Sequence, residues 1–488
     1  MTEDCPQTTV THVYNERGLL AEVTDSAFAE VHGGGTLRYD YDDNGNRIKI
    51  SGDIPDSMEY SHDSLNRIST VQVDNDRPTR YFYGEDGALR QWILPNGLVT
   101  EYQHDEEMRI QNQKSWLVQT DLLENDEISP ETFIKQVYAA TYEYSSSGNI
   151  IRIAGLDNNQ RDYEYDAAGR LVSENIISLS IQDMGDAVEV HYVYEYDSVG
   201  NRLFLRENRK GVDFGSVTTS LFNEANQHVA SFTVDYNSMQ NASFSHYSFD
   251  KSGNRIAEYS QINDLRKMTR FVQYDALNRL LVSADGSISR ENKYRGLFFK
   301  KIAKTERLNS TVISTNNILY DGDNAIVEVL DNMHLYHVFN VQTLLFSFHF
   351  HEDSTLDKQN TEIAFFENVN VAYPLYDHLG TTLGFYSHAG ELLQNYTINA
   401  FGVQLDFNSR HYSQANDSTY WLMPKFTGKI LVSTIFPYYD FKYRSYSPIE
   451  GTFLQRDPYP FHVLLHTEST DKKILMIIPF MNLSRIIL

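Results

Sequence analysis

Short runs of alternating apolar and polar residues recur along most of this chain, and turn-forming residues separate one run from the next. Runs such as TLRYDY and RDYEY alternate ahead of a tyrosine, and runs such as IKISG and LVSEN follow an arginine a few positions later. Because side chains alternate between the two faces of a β-strand, this period of two predicts strands with one buried face. The chain is therefore predicted to form hairpins, each made of two strands and a short loop.

The loop of each hairpin carries a repeated sequence of the form Tyr-x-x-x-Gly/Leu-Asn-Arg-Ile/Leu. Clear copies begin at Tyr41, Tyr60, Tyr165, Tyr196, Phe249 and Tyr274, and weaker copies begin at Tyr14, Tyr83, Tyr102 and Tyr144. Self-similarity at intervals of roughly 20 residues indicates a repeat architecture. We therefore interpret each copy as one hairpin of an extended body.

The residue types of the repeat predict how its loop is built. Glycine or asparagine near the end of the loop is expected to take the positive φ that a tight turn requires, and the aspartate after the tyrosine is expected to bond loop amides. The tyrosine and arginine that bracket the turn are expected to stack, while the aspartate neutralises the guanidinium. Because a catalytic group has no reason to recur so often in one chain, we interpret this cluster as structural.

Composition agrees with an all-β fold. Aromatic residues make up 13% of the 488 residues, with 33 Tyr and 27 Phe, and charged residues make up 22%. This is typical of a well-packed chain rather than a disordered one. Hairpins without helical stretches between them make a large sheet, which must roll up or leave exposed edges.

The net charge of −25 argues against a nucleic-acid partner, which needs a basic surface. We interpret the charge as a solvated acidic surface, with an acidic wall facing a basic guest as the alternative. The start of the chain, MTEDCPQTTV, lacks the basic and apolar regions of a signal peptide. The apolar tail KKILMIIPFMNLSRIIL is interrupted by Pro479, Asn482 and Arg485, so we do not predict a membrane role for it.

We predict no cofactor and no metal site. Cys5 is the only cysteine, so neither a disulfide framework nor a cysteine-ligated zinc is expected. His349 and His351 in SFHFHED alternate and would share one strand face, which makes a metal site an alternative. An exposed strand is the interpretation that we favour.

The repeats resemble the YD repeats of Rhs proteins, of the C components of insecticidal Tc toxins and of teneurins. Three further stretches look like successive landmarks of the Rhs-associated core: YDGDNAIVE from Tyr320, YDHLGTTLGFYSHAGELLQNYTINAFG from Tyr376, and RSYSPIEGTFLQRDP from Arg444. The resemblance covers most of the chain from Tyr14 to Pro458. It implies hairpins that wind into a hollow spiral shell around a C-terminal toxic segment, with the core closing one end.

This resemblance divides the chain into four segments. Residues 1–285 form the YD-repeat shell, and residues 286–370 form a divergent continuation of it. Residues 371–460 form the Rhs-associated core, and residues 461–488 form a short divergent tail.

The resemblance also implies an intramolecular aspartyl protease in the core, in which two carboxylates share a proton. Asp457 matches the first catalytic aspartate of the family, and Arg456 matches the arginine beside it. Pro460 stands where the family has a glycine, and no second Asp-Pro occurs in the sequence. Asp471 is the only aspartate after Asp457, and it lacks the motif around it. We therefore expect at most the remnant of an autoprotease, without efficient self-cleavage.

Two classes of function follow from these expectations. The first is an encapsulating shell of a toxin-delivery system, which encloses a C-terminal or partner polypeptide or joins a shell-completing protein. Such a chain is expected to be cytoplasmic before export and then secreted or delivered by a specialised system. The second is an extracellular, teneurin-like module that binds glycan or protein. A truncated or frame-disrupted chain is compatible with either class.

Overall fold

The repeat hairpins join into one continuous antiparallel sheet, which confirms the all-β prediction. In this computed structural model, the described residues are 9–118, 133–178, 188–210, 214–235, 242–262, 265–295, 300–331, 333–340, 343–351, 370–405, 424–431, 438–441 and 443–456. Among them, 31 strands belong to one sheet, and each strand pairs with the next along the chain. Because the first and last strands each pair with a single neighbour, the sheet is open rather than closed as a barrel.

The strands of this sheet follow one another without crossover connections. In chain order they are β1 (Val10–Tyr14), β2 (Leu20–Asp25), β3 (Thr36–Tyr41), β4 (Arg47–Gly52), β5 (Met58–His62), β6 (Ile68–Val73), β7 (Thr79–Tyr83), β8 (Leu89–Ile93), β9 (Leu98–His104), β10 (Ile110–Val118), β11 (Phe133–Tyr144), β12 (Ile150–Gly155), β13 (Gln160–Tyr165), β14 (Leu171–Ser178), β15 (Val188–Tyr196), β16 (Arg202–Lys210), β17 (Phe214–Phe222), β18 (His228–Asp235), β19 (Ser243–Phe249), β20 (Arg255–Ile262), β21 (Leu265–Tyr274), β22 (Leu280–Asp285), β23 (Ile288–Tyr294), β24 (Lys301–Leu308), β25 (Thr311–Asp321), β26 (Asn324–Leu330), β27 (Met333–Phe339), β28 (Leu344–His351), β29 (Asn370–Tyr376), β30 (Thr382–Tyr386) and β31 (Leu392–Asn395).

Two small sheets and two short helical elements complete the described residues. They are the pair β32 (Thr397–Ile398) and β33 (Gln404–Leu405), the sheet β34 (Pro424–Phe426), β35 (Lys429–Leu431), β36 (Tyr439–Asp440), β37 (Ser445–Ser447) and β38 (Thr452–Phe453), the helix α1 (Ser26–His32), and a single 3-10 turn (Leu156–Asn158). Within the described ranges, no helix combines the length and the apolar character needed to cross a membrane.

The turn of each repeat is built as its residue types predict. Asp63 accepts hydrogen bonds at Oδ1 from the backbone N–H groups of Leu65 and Arg67, at 2.9 and 3.0 Å. The next-to-last residue of the loop has a positive φ, which is 62° at Asn66 and 89° at Gly45. Glycine and asparagine adopt this left-handed conformation at the least steric cost. The predicted role of these residues in the turn is therefore confirmed.

The position of the arginine divides the repeats into two classes. In the first class the arginine is the fourth residue after the aspartate, and its guanidinium returns to that aspartate, as Arg67 does to Asp63 at 2.7 Å. In the second class the sequence is Gly-Asn-Arg, and the asparagine takes this place, as Asn254 does with Asp250 at 2.9 Å. The arginine then comes one residue later. Because neighbouring strand residues point to opposite faces, it points away from the turn cluster.

Neighbouring repeats are linked by their tyrosines. The Tyr83 hydroxyl donates to the Ile68 carbonyl at 2.9 Å, and the Arg67 guanidinium lies 4.2 Å from the centre of the Tyr83 ring. Arg67 belongs to the repeat that begins at Tyr60, whereas Tyr83 begins the next repeat. The expectation that the tyrosine and arginine of one repeat stack on each other is therefore wrong here. The stack joins one hairpin to the next, which fixes the spacing of neighbouring turns.

The sheet is wound on itself. Leu37 and Tyr39 of β3 share a hydrophobic core with Val329 of β26 and Tyr336 of β27. The Tyr60 hydroxyl donates to the carbonyl of Phe339, 279 positions later, at 3.3 Å. We call the face that carries Leu37 and Tyr39 the inner face and the opposite face the outer face.

The later strands lie inside the first winding, because they contact it with both of their faces. Val329 and Tyr336 face the first core, whereas Leu335, the register partner of Glu328, lies in a second core. This second core also contains Tyr142 and Tyr163 of β11 and β13. The sheet continues through residues 285 and 370, and the division of the chain into segments at these positions stays a prediction.

Candidate functional site at the arginine-aspartate corner

The stretch that contains the predicted corner forms a short hairpin. Strands β37 and β38 are joined by a turn in which the Gly451 N–H donates to the Ser447 carbonyl at 2.8 Å. The Ser445 N–H donates to the Gln455 side chain at 2.7 Å, and both of these residues are buried. The hairpin therefore holds the chain in place up to Arg456.

Two arginines from the repeats anchor this hairpin. Both belong to the Gly-Asn-Arg class, so both point to the inner face. The Arg202 guanidinium donates to the Ile449 carbonyl at 2.6 Å, and the Arg255 guanidinium forms an ion pair with Glu450. The backbone N–H of Arg255 also donates to the Leu454 carbonyl at 2.9 Å. The repeat arginines thus reach a stretch much later in the chain, since Arg255 and Glu450 are 195 positions apart and Arg202 and Ile449 are 247 positions apart.

A buried ionic cluster surrounds the Arg255–Glu450 pair. Arg255 is 1% exposed, and its Nη1 also lies 3.3 Å from Glu258 Oε1. Arg270 Nη1 lies 3.0 Å from the same Glu258 oxygen, and the Tyr438 hydroxyl donates to it at 2.8 Å. Two carboxylates and two guanidinium groups therefore balance each other's charge within the protein.

The two carboxylates of this cluster titrate differently. Burial opposes ionisation of Glu450, but the charge of Arg255, followed by contact with His228, outweighs it and holds the pKa of Glu450 well below its usual range. Burial, followed by the charge of Glu450, raises the pKa of Glu258, although Arg270 and Arg255 oppose this. Both carboxylates accept hydrogen bonds from guanidinium groups. This arrangement is suited to anchoring the hairpin rather than to activating water.

Arg456 extends from this cluster toward a repeat turn. Its side chain is exposed, and its Cβ and Cδ lie 3.6 Å from the position that a Cβ on Gly253 would occupy. Gly253 has a φ of 90° in the turn between β19 and β20. Asp457 and Asp471 lie outside the described residues. The structure therefore places Arg456 at the end of the anchored hairpin, and the assignment of Asp457 and Arg456 as remnants of a protease stays a prediction.

The other two core landmarks are anchored in the same way. Arg47, the first Gly-Asn-Arg arginine, donates to Asp321 of the first landmark at 2.7 Å. Glu174 is buried, and both of its carboxylate oxygens lie 3.0 Å from the Ala400 N–H of the second landmark. Arg161 donates to the Ile398 carbonyl beside it at 2.7 Å. Each landmark is thus held by polar side chains from the inner face of the repeats.

One further cluster has the residue types of a hydrolase relay. His337 Nδ1 lies 2.7 Å from the Ser347 hydroxyl, and His337 Nε2 lies 3.6 Å from Glu328. Lys304 lies 3.7 Å from Glu328 on its other side. Ser347 and Glu328 are 0% exposed, so no substrate can reach the hydroxyl. We interpret this cluster as a buried polar network that joins β26, β27 and β28.

Candidate metal ligands do not gather in the described residues, where no three His, Cys, Asp or Glu side chains are placed to hold a metal ion. The side chains of His349 and His351 lie outside the part of the chain that the structure describes.

Sequence reasoning missed the anchoring residues Arg202, Arg255, Glu258 and Glu450. The signal was present in the spacing of the repeats, because the insertion of one asparagine before the arginine moves the guanidinium to the inner face. The sequence pointed less clearly to Glu450, which is the only acidic residue within the turn SPIEG of the third landmark.

Replacing Gly451 with alanine is expected to weaken the anchored hairpin. A Cβ at this position would lie 3.0 Å from Arg202 Nη1 and 3.1 Å from a ring carbon of Phe401, and the φ of 67° adds backbone strain. The left-handed conformation alone costs an alanine about 1–2 kcal/mol. Gly286→Ala is the matched control, because Gly286 has a φ of 57° with nothing within 4 Å. Chemical denaturation should show a larger loss for Gly451→Ala, and equal losses would contradict the proposed contact.

Comparisons with known proteins find solved structures that resemble this fold. No family model matches the chain, and no curated protein matches it. The crystal structure of TcdB2-TccC3-TEV matches with a TM-score of 0.59 at 13% sequence identity, over 91% of this chain and 22% of that chain. The Photorhabdus luminescens Tc holotoxin pore matches with a TM-score of 0.59 at 12% identity, over 91% of this chain and 22% of that one. The crystal structure of TcdB2-TccC3 matches with a TM-score of 0.54 at 13% identity, over 91% of this chain and 23% of that chain.

The chain has a Tc-toxin-like shell fold. At this sequence identity the likeness establishes the fold alone. The chain spans between a fifth and a quarter of the length of the chains that it matches, at 22 to 23%. The resemblance of the YD repeats and of the three landmarks to Rhs and Tc proteins therefore agrees with the architecture that the strands adopt.

Proposed function

We propose that this chain is an encapsulating shell of a toxin-delivery system, which encloses a C-terminal or partner polypeptide. The observation that carries the proposal is the inner face of strands β17 to β20. At successive register positions this face pairs hydroxyl residues with one another: Thr218 with Thr233, Ser220 with Ser231, Ser231 with Ser245, Thr233 with Ser243, and Ser245 with Ser260. These residues are half-buried rather than packed, although they lie on the inner side of a wound sheet.

A hydroxyl-lined wall suits the enclosure of a polypeptide. Serine and threonine present donors and acceptors without fixed charge, and they offer little apolar surface to which an unfolded guest could adhere. The anchored core landmarks support the same proposal, because they tie the C-terminal part of the chain to the inner face. The Tc-toxin-like fold supports the proposal by analogy of architecture, since one of the similar solved structures is a Tc holotoxin pore. We propose delivery by a specialised system, from a cytoplasmic origin.

An accessibility experiment tests the enclosed volume. In a Cys5→Ser background, a cysteine at inner-face Ser245 should react with a small maleimide but slowly with a maleimide carrying a polymer of about 5 kDa. A cysteine at Thr219, which is exposed on the outer face, should react with both reagents. Equal reactivity of the two positions toward the large reagent would rule out an enclosed inner face. If the small maleimide does not react with the cysteine at position 245, the interior at this position is filled.

We further propose that the protease corner is a remnant and that the chain does not cleave itself efficiently. Intact-mass measurement of the purified full chain should therefore give one uncut species. The fraction of uncut chain should be the same in the Asp457→Asn variant. A product cut in the tail that disappears in Asp457→Asn would overturn this proposal.

The alternative function is an extracellular binding module of the teneurin-like kind. One observation favours it, namely the presence of exposed apolar side chains on the outer face of strands β17 to β21, including Phe232 at 45% exposure. If this face is an external binding surface, a soluble glycan or protein should protect it from labelling, while the inner face should remain unaffected.

A further inference from the structure

One turn of the chain departs from the way in which the repeats compensate their aspartates. In the repeats, Oδ1 of the turn aspartate accepts backbone N–H groups, and Oδ2 accepts from the side chain four residues later. That side chain is an arginine or an asparagine, as in the pairs Asp42–Asn46, Asp63–Arg67, Asp105–Arg109, Asp166–Arg170, Asp197–Asn201, Asp250–Asn254 and Asp275–Arg279. Both carboxylate oxygens are therefore occupied in these turns.

The second core landmark forms the same turn without that partner. Between β29 and β30, Asp377 Oδ1 accepts from the N–H groups of Leu379 and Thr381 at 2.9 and 2.8 Å. The residue four positions later is Thr381, whose hydroxyl accepts from the Thr427 N–H at 3.2 Å instead. Within the part of the chain that the structure describes, no hydrogen bond reaches Asp377 Oδ2. This turn therefore holds a carboxylate oxygen that has no donor from the described residues.

The Asp377 carboxylate borders a cleft between this turn and the first winding of the sheet. The cleft has a volume of about 140 Å³ and is lined by Leu89, Tyr102, His104, Ile110, Asp377 and His378. The side chain of Gln113 donates to the Tyr376 carbonyl at 2.6 Å, which holds the turn against β10. The cleft is therefore bounded by two parts of the chain whose relative position is fixed.

His378 is a second polar group in the wall of the cleft that lacks a partner. Both of its ring nitrogens are buried, and neither has a hydrogen-bond partner among the described residues. Burial lowers the pKa of His378 below its ordinary value, with the charge of Asp377 opposing and that of Arg161 assisting. The neutral ring has one nitrogen that accepts and one that donates. Because an unsatisfied buried polar group is costly, a ligand that donates to this ring would be favoured.

The charge of Asp377 is not compensated by the buried arginine of this region. Arg161 donates to the Ile398 carbonyl at 2.7 Å. Burial opposes the charge of Arg161, while its pKa is raised by Tyr163 and Glu174 and, more weakly, by Asp377. Arg161 thus interacts more strongly with Glu174 than with Asp377. One negative charge remains for a ligand at the cleft.

The cleft has the acceptors that an ammonium group requires. An ammonium has three N–H donors, and the cleft offers Asp377 Oδ2, the Tyr102 hydroxyl and, after a rotation of the ring about χ2, a nitrogen of His378. Leu89 and Ile110 provide apolar surface for the attached alkyl chain. A cavity of about 150 Å³ holds a ligand of about six heavy atoms, which is the size of benzene. The cleft therefore suits a short alkylammonium, whereas a guanidinium has more donors than the cleft has acceptors.

We propose that the cleft between the Asp377 turn and strands β9 and β10 binds an alkylammonium group through the Asp377 carboxylate, with Tyr102 and His378 as further acceptors. The ammonium belongs either to a lysine side chain of a polypeptide or to a free small amine. This inference does not rest on enclosure, because it concerns one turn and the strands beside it.

Ligand-observed saturation-transfer NMR on the full chain tests the site. Titrations compare n-butylamine, which is an ammonium at about pH 7, with n-butanol, which has a similar length and no charge. Butylammonium should bind saturably and at least about tenfold more tightly than butanol, because hydrogen bonds to a charged group are the stronger ones. Nα-acetyl-lysine amide, whose only amine is the side-chain amine, distinguishes the two sources.

Two variants remove the site by different means. Asp377→Asn removes the charge, while the amide oxygen still accepts the two backbone N–H groups of the turn. Thr381→Asn supplies the amide that occupies Oδ2 in the repeats, as Asn254 does with Asp250 at 2.9 Å. Each should lower the affinity for butylammonium at least about tenfold. Asp86→Asn is the matched control, because Asp86 is an exposed turn carboxylate that accepts from the Ala88 N–H at 3.1 Å.

Each outcome decides for or against the ammonium site. Saturable binding that weakens in Asp377→Asn but not in Asp86→Asn supports it. Equal affinity for butanol, unchanged affinity in Asp377→Asn, or the absence of saturable binding overturns it. If Asp377→Asn does not fold, the same comparison in Thr381→Asn decides. With the site supported, equal affinity for the lysine derivative assigns it to a polypeptide side chain, and binding of butylamine alone assigns it to a free amine.

Discussion

Arg255→Met is expected to lower the free energy of unfolding by about 3–5 kcal/mol, because removing one partner of a buried ion pair leaves an uncompensated charge. Arg255 is 1% exposed and forms ion pairs with both Glu450 and Glu258. Without it, burial and mutual repulsion should raise the pKa of one or both carboxylates, so that a proton is taken up on folding. Chemical denaturation at neutral pH measures the loss.

The matched control for this substitution is Arg67→Met. Arg67 belongs to the first repeat class, is partly exposed and pairs with Asp63 in its own turn. Its replacement should cost far less than that of Arg255, since a solvated pair contributes little. The double variant Arg255→Met with Glu450→Gln should recover part of the lost stability. Equal losses in the two arginine variants would contradict the division of the repeats into inward and turn-bound classes.

Acidification is expected to remove about 3 kcal/mol of stability through Glu328 alone. Burial of this carboxyl would raise its pKa, but Lys304, followed by His337 and Asn316, lowers the pKa to about 2 from the ordinary 4.5. A carboxyl whose pKa is lowered in the folded protein stabilises it fully above the ordinary pKa. This contribution is lost as the pH falls from about 4.5 to about 2.

The measurement is the pH dependence of the denaturation midpoint in the wild-type chain and in Glu328→Gln. Glutamine keeps the size of the side chain and its carbonyl acceptor, but it cannot titrate. The variant should be less stable at neutral pH and should show a flatter dependence between pH 5 and pH 2. Parallel curves for the two proteins would show that Glu328 is not the group that titrates.

The hairpins and their turns could be predicted from the sequence because they depend on local interactions. The positive φ of Asn66, the amide bonds to Asp63 and the alternation of the strands all arise within one repeat. The one error within the repeat had a tertiary cause. Arg67 stacks on Tyr83 of the following hairpin, and the sequence of a single repeat does not show which hairpin comes to lie beside it.

The anchoring site could not be predicted in the same way. Arg255 and Glu450 are 195 positions apart, and only the winding of the sheet brings them together. The spacing Gly-Asn-Arg determines on which face of the sheet the arginine lies, so the arginine's side of each contact can be predicted from the sequence. The identity of its acidic or carbonyl partner depends on how many strands complete one winding of the sheet. No local pattern encodes that number.

The winding itself can be tested with a zero-length cross-link. Arg47 Nη1 lies 2.7 Å from Asp321 Oδ2, whereas the two residues are 274 positions apart. In an Arg47→Lys chain, a carbodiimide should therefore join residues 47 and 321 by an amide within one molecule, alongside the local Lys49–Glu59 link at 2.8 Å. Recovery of the local link without the link from 47 to 321 would mean that the later strands do not lie inside the first winding.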